Sequence, residues 1–124
     1  MDTPASLAAD MVKAATEALV GARAVVAKGA LNVKTEAKAN VYKSAPVHHA
    51  HAAEAITYDT SVGAADIVAE IGYDKERRGG PLGNLLEFGG GGDHSPPHRD
   101  LGRALDDEEP RFEAAMGLLA EKLL

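Results

Sequence analysis

One apolar stripe runs along the first third of the chain. Between residues 7 and 41 its members recur at steps of three or four, which is typical of one face of an α-helix. They are Leu7, Met11, Ala15, Ala18, Ala22, Val26, Ala30, Val33, Ala37 and Val41. Thr3 and Pro4 suit the cap and the first position of such a helix, and the residue before Pro46 disfavours helical backbone. We therefore predict a helix over residues 3–44.

The length of this helix constrains the fold. At about 1.5 Å per residue it would be about 60 Å long, whereas a compact domain of 124 residues is about 35 Å across. The helix must therefore break or project toward a partner. Gly21 and Gly29 are its weakest positions, because glycine inside a helix costs about 1 kcal/mol relative to alanine. We expect a break or kink near Gly21, with residues 22–42 as the principal helix.

The side chains available for a core are small. The hydrophobic fraction is 45%, but only 4% of the residues are aromatic and much of the remainder is alanine. Alanine buries little apolar area, so the core of one chain should be thin, and the chain is a candidate for completing its core in an oligomer. We expect one domain over residues 1–124, with no disulfide or zinc–thiolate site because cysteine is absent.

Charge and hydropathy exclude several classes of function. The net charge is −6, and residues 45–98 carry eight acidic but only three basic side chains. This balance argues against a protein that grips nucleic acid through its phosphates. The N-terminus lacks the basic flank and apolar core of a signal peptide, and no apolar run approaches the roughly 20 residues of a membrane span. We expect a soluble protein without a membrane partner.

The middle of the chain alternates as β-strands do. Apolar residues share one face in residues 54–60 and again in residues 65–74, which predicts two antiparallel strands joined by a turn. A third strand is expected at residues 85–88, with Phe88 facing the core and Glu87 facing outward. Phe88→Ala should then cost about 3–5 kcal/mol. Glu87→Gln should leave the fold intact and impair assembly, if that charge faces a neighbouring subunit.

A closing helix follows. Apolar residues recur helically over residues 101–123, and the acidic run before Pro110 suits the first turn of a second helical piece. The predicted class is α+β: a long N-terminal helix, a small antiparallel sheet of about three strands, and a C-terminal helix packed on one face. Mobile loops are expected near residues 45–53, 74–84 and 89–98. The four glycines of residues 89–92 favour a sharp or mobile path there.

The histidines are the strongest candidates for chemistry. His48, His49 and His51 lie within four residues, and His94 and His98 could join them around a transition metal. Their spacing matches no dedicated zinc motif, and solvated loop histidines are the commoner case. We therefore predict no metal, no cofactor and no catalytic residue.

A set of short motifs in a fixed order resembles one protein family. In chain order they are Ala37-Lys38 through Ala45-Pro46, Ile56-Thr57-Tyr58, Ala69-Glu70-Ile71-Gly72, Glu87-Phe88-Gly89, Pro96-Pro97 and Ala104-Leu105. On these the chain resembles, over residues 25–124, the small neck or tail-completion proteins of long-tailed bacteriophages. It departs from them at residues 48–53, where that family commonly carries Thr-Gly-x-Leu, and at Gly90, where the family often has threonine.

The resemblance implies a structural role and no enzymatic activity. Such proteins form a ring in the virion neck between the capsid connector and the tail tube, after synthesis in the cytoplasm of the bacterial host. The implied partners are further copies of the chain, in a ring of six or twelve, and the adjacent connector and tail-tube or terminator proteins. DNA would be enclosed as a passing polymer only. The acidic net charge suits a channel along which DNA slides without binding.

Six residues are candidates for contacts between subunits. Glu87, Phe88, Gly89 and Gly90 form the Glu-Phe-Gly corner. Arg77 and Arg78 could pair with carboxylates of a neighbour, or else form a solvated loop tip.

Three alternatives to a neck protein remain open from the sequence. The first is a tail terminator, the ring that ends growth of the tail tube. The second is a metal-dependent hydrolase that uses the histidines with Glu87 or Asp93. The third is a binding or regulatory module unrelated to virions.

Overall fold

A computed structural model describes residues 4–45, 47–63, 66–89 and 96–124. Helix α1 spans Pro4–Ser44 and is followed by a 3₁₀ helix, Val47–Ala55. Strands β1 (Ile56–Val62) and β2 (Ile67–Tyr73) come next, and helices α2 (Gly80–Phe88) and α3 (Asp100–Leu123) complete the chain. The hairpin and α3 both pack against α1. The α+β class, the long first helix and the packed last helix are therefore confirmed.

Helix α1 is continuous, so the prediction of a break near Gly21 is wrong. Both glycines instead face side chains of α3. A Cβ at Gly21 would meet the side chain of Leu119 at 2.5 Å, and one at Gly29 would meet the ring of Phe112 at 3.3 Å. The helical cost of each glycine is offset by the close packing that its missing side chain permits.

Helices α1 and α3 form an antiparallel pair. The end of α1 lies beside the start of α3, where Asn40 contacts Asp100, and the pairing extends back to Gly21 beside Leu119. Helix α3 runs through Pro110 as one element rather than as two pieces. Because α1 has 41 residues and α3 has 24, the N-terminal turns of α1 extend past the end of α3.

The sheet has two strands rather than about three. Strands β1 and β2 are antiparallel, in a register that pairs Ile56 with Tyr73 and Val62 with Ile67. The segment predicted as the third strand is the second half of α2. Pro81 stands in the first turn of α2, and Gly89, with φ of 74°, ends it. Leu82 and Leu86 are four residues apart and face the core on adjacent turns.

Two of the three predicted loops contain regular structure. Residues 45–53 fall largely within the 3₁₀ helix, whose Ala52 and Ala53 are fully buried. Helix α2 begins at Gly80, inside the predicted loop at residues 74–84. Of the third loop, residues 90–95 lie outside the described residues.

The core is thin, as the composition predicts. Six of the eleven buried hydrophobic residues in the described part of the chain are alanines. The largest fully buried side chains are Ile56, Val41 and the charged Asp100. Among the described residues no helix is long and apolar enough to cross a membrane.

We predict that any side chain at position 83 destabilises the fold, because the ring of Tyr73 lies where a Cβ of Gly83 would be. Gly83→Ala should lower the free energy of unfolding by about 1–3 kcal/mol through overpacking. The matched control is Gly117→Ala in α3, where an added Cβ meets nothing within 4 Å. That change should raise stability by about 0.5–1 kcal/mol. Urea unfolding followed by circular dichroism measures both, and equal effects of the two changes would contradict the assigned packing.

Candidate functional site

The Glu-Phe-Gly corner lies at the end of helix α2, and its side chains point opposite to the prediction. Phe88 is 75% exposed, whereas Glu87 is 5% exposed. Successive residues on a helix are about 100° apart, and the buried face of α2 includes Leu86 and Glu87. The prediction that Phe88 faces the core is therefore wrong. Because its side chain is exposed, Phe88→Ala should change the free energy of unfolding by no more than about 0.5 kcal/mol.

Glu87 caps helix α3 from outside that helix. Its Oε1 accepts a hydrogen bond from the backbone N–H of Leu101 at 2.7 Å, and its Oε2 accepts one from Gly102 at 3.2 Å. Arg99, which precedes α3 with φ of 53°, provides no side-chain cap. The first N–H groups of a helix need acceptors, and a negative charge there is favoured by the helix dipole. The prediction that the Glu87 side chain faces outward is therefore wrong.

Asp100 joins the end of α1 to the start of α3. Its carboxylate is fully buried and accepts hydrogen bonds from Ser44 Oγ at 2.8 Å and from an Arg103 guanidinium nitrogen at 2.7 Å. Asn40 Nδ2 donates to its backbone carbonyl at 3.0 Å. A buried charge with this many donors is compensated, and removing one partner would be costly.

Ser44, His98 and Asp100 are the three residue types of a hydrolytic triad, but their arrangement differs. The hydroxyl of Ser44 donates directly to Asp100, and His98 Nδ1 lies 3.1 Å from Ser44 Oγ and 3.8 Å from Asp100 Oδ2. In a working triad the imidazole stands between the two, with one nitrogen toward each. Here the same nitrogen faces both groups, so this cluster does not activate Ser44 as a nucleophile.

Tyr73, the last residue of β2, lies near the carboxylates of Asp100 and Glu87. Its ring packs on Gly83, and its hydroxyl is buried without a hydrogen-bond partner among the described residues. Burial raises the pKa of the Tyr73 hydroxyl, and the nearby carboxylates of Asp100 and Glu87 raise it further. The hydroxyl is therefore held neutral beside two negative charges.

The remaining candidate residues fall at two places. Gly89 belongs to the corner, where its N–H donates to the carbonyl of Leu85 at 2.8 Å. Arg77 and Arg78 are exposed and precede α2, at its other end from Phe88. Arg77 Nε lies 3.5 Å from Asp74 Oδ2, within the same turn. Gly90 lies outside the described residues.

A second polar cluster, which the sequence did not indicate, joins the middles of α1 and α3. Glu108 is buried, accepts a hydrogen bond from Asn32 Nδ2 at 2.9 Å, and forms an ion pair with Arg111 Nε at 3.1 Å. Arg111 also reaches Glu36 at 3.3 Å. The pKa of Glu36 is raised, first by burial and then by the neighbouring carboxyl of Asp107. The cluster sets the register of the two helices.

The histidines are not gathered into a metal site within the described residues. No group of three His, Asp or Glu side chains there could hold a metal ion. His51 packs against the turn at Gly79, and His98 belongs to the Asp100 junction. His94 and the side chain of His48 lie outside the described part of the chain.

The N-terminal turns of α1 form an exposed arm. We call residues 5–17 the arm, because every one of them is exposed. Near the end of α3, Thr16 and Glu17 of the arm line one depression together with Leu119 and Leu123. Leu7, Met11 and Val12 of the arm are 53%, 65% and 67% exposed. Contiguous exposed apolar surface of this kind marks a contact site in soluble proteins.

Comparisons with known proteins provide no neighbour for this arrangement. No family model matches the chain, no curated protein is detectably similar in sequence, and no solved structure matches its fold.

Loss of the Glu87 charge should destabilise the fold. In Glu87→Gln one oxygen remains an acceptor, but an NH₂ donor replaces the other and faces the N–H donors of α3. We expect a loss of about 1–3 kcal/mol in the free energy of unfolding, measured in urea. Glu113→Gln, an exposed change on α3, should stay within about 0.5 kcal/mol. Wild-type stability in Glu87→Gln would contradict the capping role.

The Tyr73 hydroxyl predicts alkaline sensitivity. The pKa of the Tyr73 hydroxyl is higher in the folded chain than in the unfolded chain. The protonated hydroxyl therefore adds to the free energy of unfolding. This contribution is complete below the unfolded pKa near 10 and is lost as pH rises beyond it. Tyr73→Phe should keep or raise stability at neutral pH, since it removes a buried hydroxyl without a described partner. It should also reduce the loss of stability above about pH 10.

Urea titrations at neutral and alkaline pH measure this effect, with Tyr58→Phe, at an exposed tyrosine of β1, as the control. A loss of more than about 1 kcal/mol at neutral pH in Tyr73→Phe would show that its hydroxyl is satisfied.

Proposed function

We propose that this protein is a structural subunit that assembles into a closed homo-oligomeric ring in the head-to-tail connection of a bacteriophage. One observation supports assembly above all. Among the described residues, five buried hydrophobic residues are larger than alanine, whereas sixteen large hydrophobic side chains are exposed. A chain whose larger apolar side chains are mostly exposed gains stability when copies cover them.

The neck role rests on the motif order in the sequence, and the geometry of the Glu-Phe-Gly corner is compatible with it. Glu87 is used inside the subunit as a cap, which fixes the direction in which α2 ends. Phe88, at that end, is presented to solvent. Aromatic side chains are enriched at the centres of protein interfaces. We therefore assign one assembly contact to Phe88 and the positioning of the corner to Glu87 and Gly89.

Charge supports a ring that encloses DNA without gripping it. Helix α3 carries seven acidic and three basic side chains, whereas α1 carries three acidic and six basic ones. A ring with α3 toward its channel would present net negative charge to DNA, which limits adhesion. A ring whose channel is lined by basic side chains would contradict this part of the proposal.

The test is the assembly state of the purified full-length chain. Native mass spectrometry and cryo-electron microscopy should show closed rings of six or twelve copies with a central channel. A chain that stays monomeric at every concentration would overturn the proposal. The neighbourhood of its gene provides an independent check: genes for capsid-connector and tail proteins are expected on both sides.

The position of the ring separates the neck role from the tail-terminator role. Cryo-electron microscopy of virions should place it between the capsid connector and the tail tube. Density confined to the end of the tube would favour the terminator.

A further inference from the structure

The apolar face that packs on α3 continues into the arm. Eighteen residues make about five turns of an α-helix, so positions 18 apart lie on the same line along the helix. Ala8, Met11, Val12 and Ala15 are therefore in line with four core-facing positions of α1. Those positions are Val26, Gly29, Ala30 and Val33. The face that lies toward β2 and α3 in the later turns is exposed in the earlier ones.

The charged residues of the arm lie away from this face. Asp10, Lys13 and Glu17 are on the opposite side of the helix at about 100° per residue. The apolar face can therefore enter an apolar groove without burying a charge. One basic and two acidic side chains also make the arm unlike a basic amphipathic helix that binds anionic lipid.

The same subunit contains an apolar groove. It lies between α1, β2 and α3, and one part of it has a volume of about 430 Å³. A second depression shares Val26, Ile67 and Phe112 with it and continues it toward Met116. We call this continuous surface the groove. Along α3, from Leu105 to Met116, it extends about 16 Å at 1.5 Å per residue.

The arm and the groove fit in length. The apolar face of the arm, from Leu7 to Ala15, covers about 12 Å. The arm cannot reach the groove of its own subunit, because α1 continues without a break through Gly21 and leads it away from the fold. A partner for either surface must therefore come from outside the subunit. A second copy of the chain carries both an arm and a groove.

We propose that the arm of one copy docks in the groove of the next copy. The contact would repeat, between subunits, the packing of the apolar face of α1 against α3 that exists within each subunit. Donor and acceptor are different surfaces, so the contact is head-to-tail and closes when the rotation between copies completes a circle. The inference rests on the proposed ring and specifies the surfaces that form it.

The test uses three substitutions to lysine at exposed positions. Met11→Lys places a charge on the arm, and Leu105→Lys places one at the groove, where these side chains are 65% and 56% exposed. Leu118→Lys, at a 67% exposed residue of α3 that lines neither surface, is the matched control. Thermal unfolding of each variant confirms that the subunit is folded, since all three positions are exposed in it.

Sedimentation velocity of the full-length variants should give a specific pattern. Wild type and Leu118→Lys form rings, whereas Met11→Lys and Leu105→Lys alone are monomers. An equal mixture of the last two should give a one-to-one dimer. In that dimer the intact arm of Leu105→Lys occupies the intact groove of Met11→Lys, and the altered surfaces at both ends prevent further growth.

Other outcomes would overturn the inference. Arms that pair with arms would leave Leu105→Lys as oligomeric as wild type. An interface elsewhere would leave both single variants oligomeric, and in either case the ring itself would stand. A wild-type chain that is monomeric would instead overturn the proposed ring and this inference with it.

Discussion

The start of helix α3 is the point on which the remaining structure depends. The N–H groups at the beginning of a helix need acceptors, and the residue that precedes α3, Arg99, provides none from its side chain. Glu87 of α2 supplies them, while the buried Asp100 binds Ser44 at the end of α1. Three helices are thereby fixed at one place by charge-assisted hydrogen bonds. These bonds orient the helices around a core in which six of the eleven buried hydrophobic residues are alanine.

Elements with a strong and long period were predicted correctly from the sequence. The stripe of α1, the alternation of the two paired strands and the closing helix all persist over many residues, so one local irregularity does not change their assignment. Glycine was misinterpreted within α1. Its intrinsic cost in a helix is real, but Gly21 and Gly29 face the side chains of Leu119 and Phe112. Tertiary packing on a second helix decides such positions, and the sequence of one helix does not contain it.

The segment that became α2 was ambiguous because a short apolar run fits either a helix or a strand. The spacing of Leu82 and Leu86 and the proline in the first turn were the signals for a helix. The error reversed the directions of Glu87 and Phe88 together. The junction at Asp100 was missed for a different reason: Ser44 is 56 residues away in sequence. No local pattern pairs residues over that distance.

The proposed assembly would couple the stability of the subunit to the position of its apolar side chains. Within the subunit, the arm continues the packed part of α1 as one helix, and helical segments of about 12 residues are marginal alone. Docking would bury Leu7, Met11 and Val12 and would also remove the tendency of the arm to fray. Binding of a partner to the folded state adds to the free energy of unfolding, so a ring of such subunits would be more stable than its separate parts. In the proposed ring the small core would be sufficient, because it would have to position the arm and the groove while the larger apolar contacts form between copies.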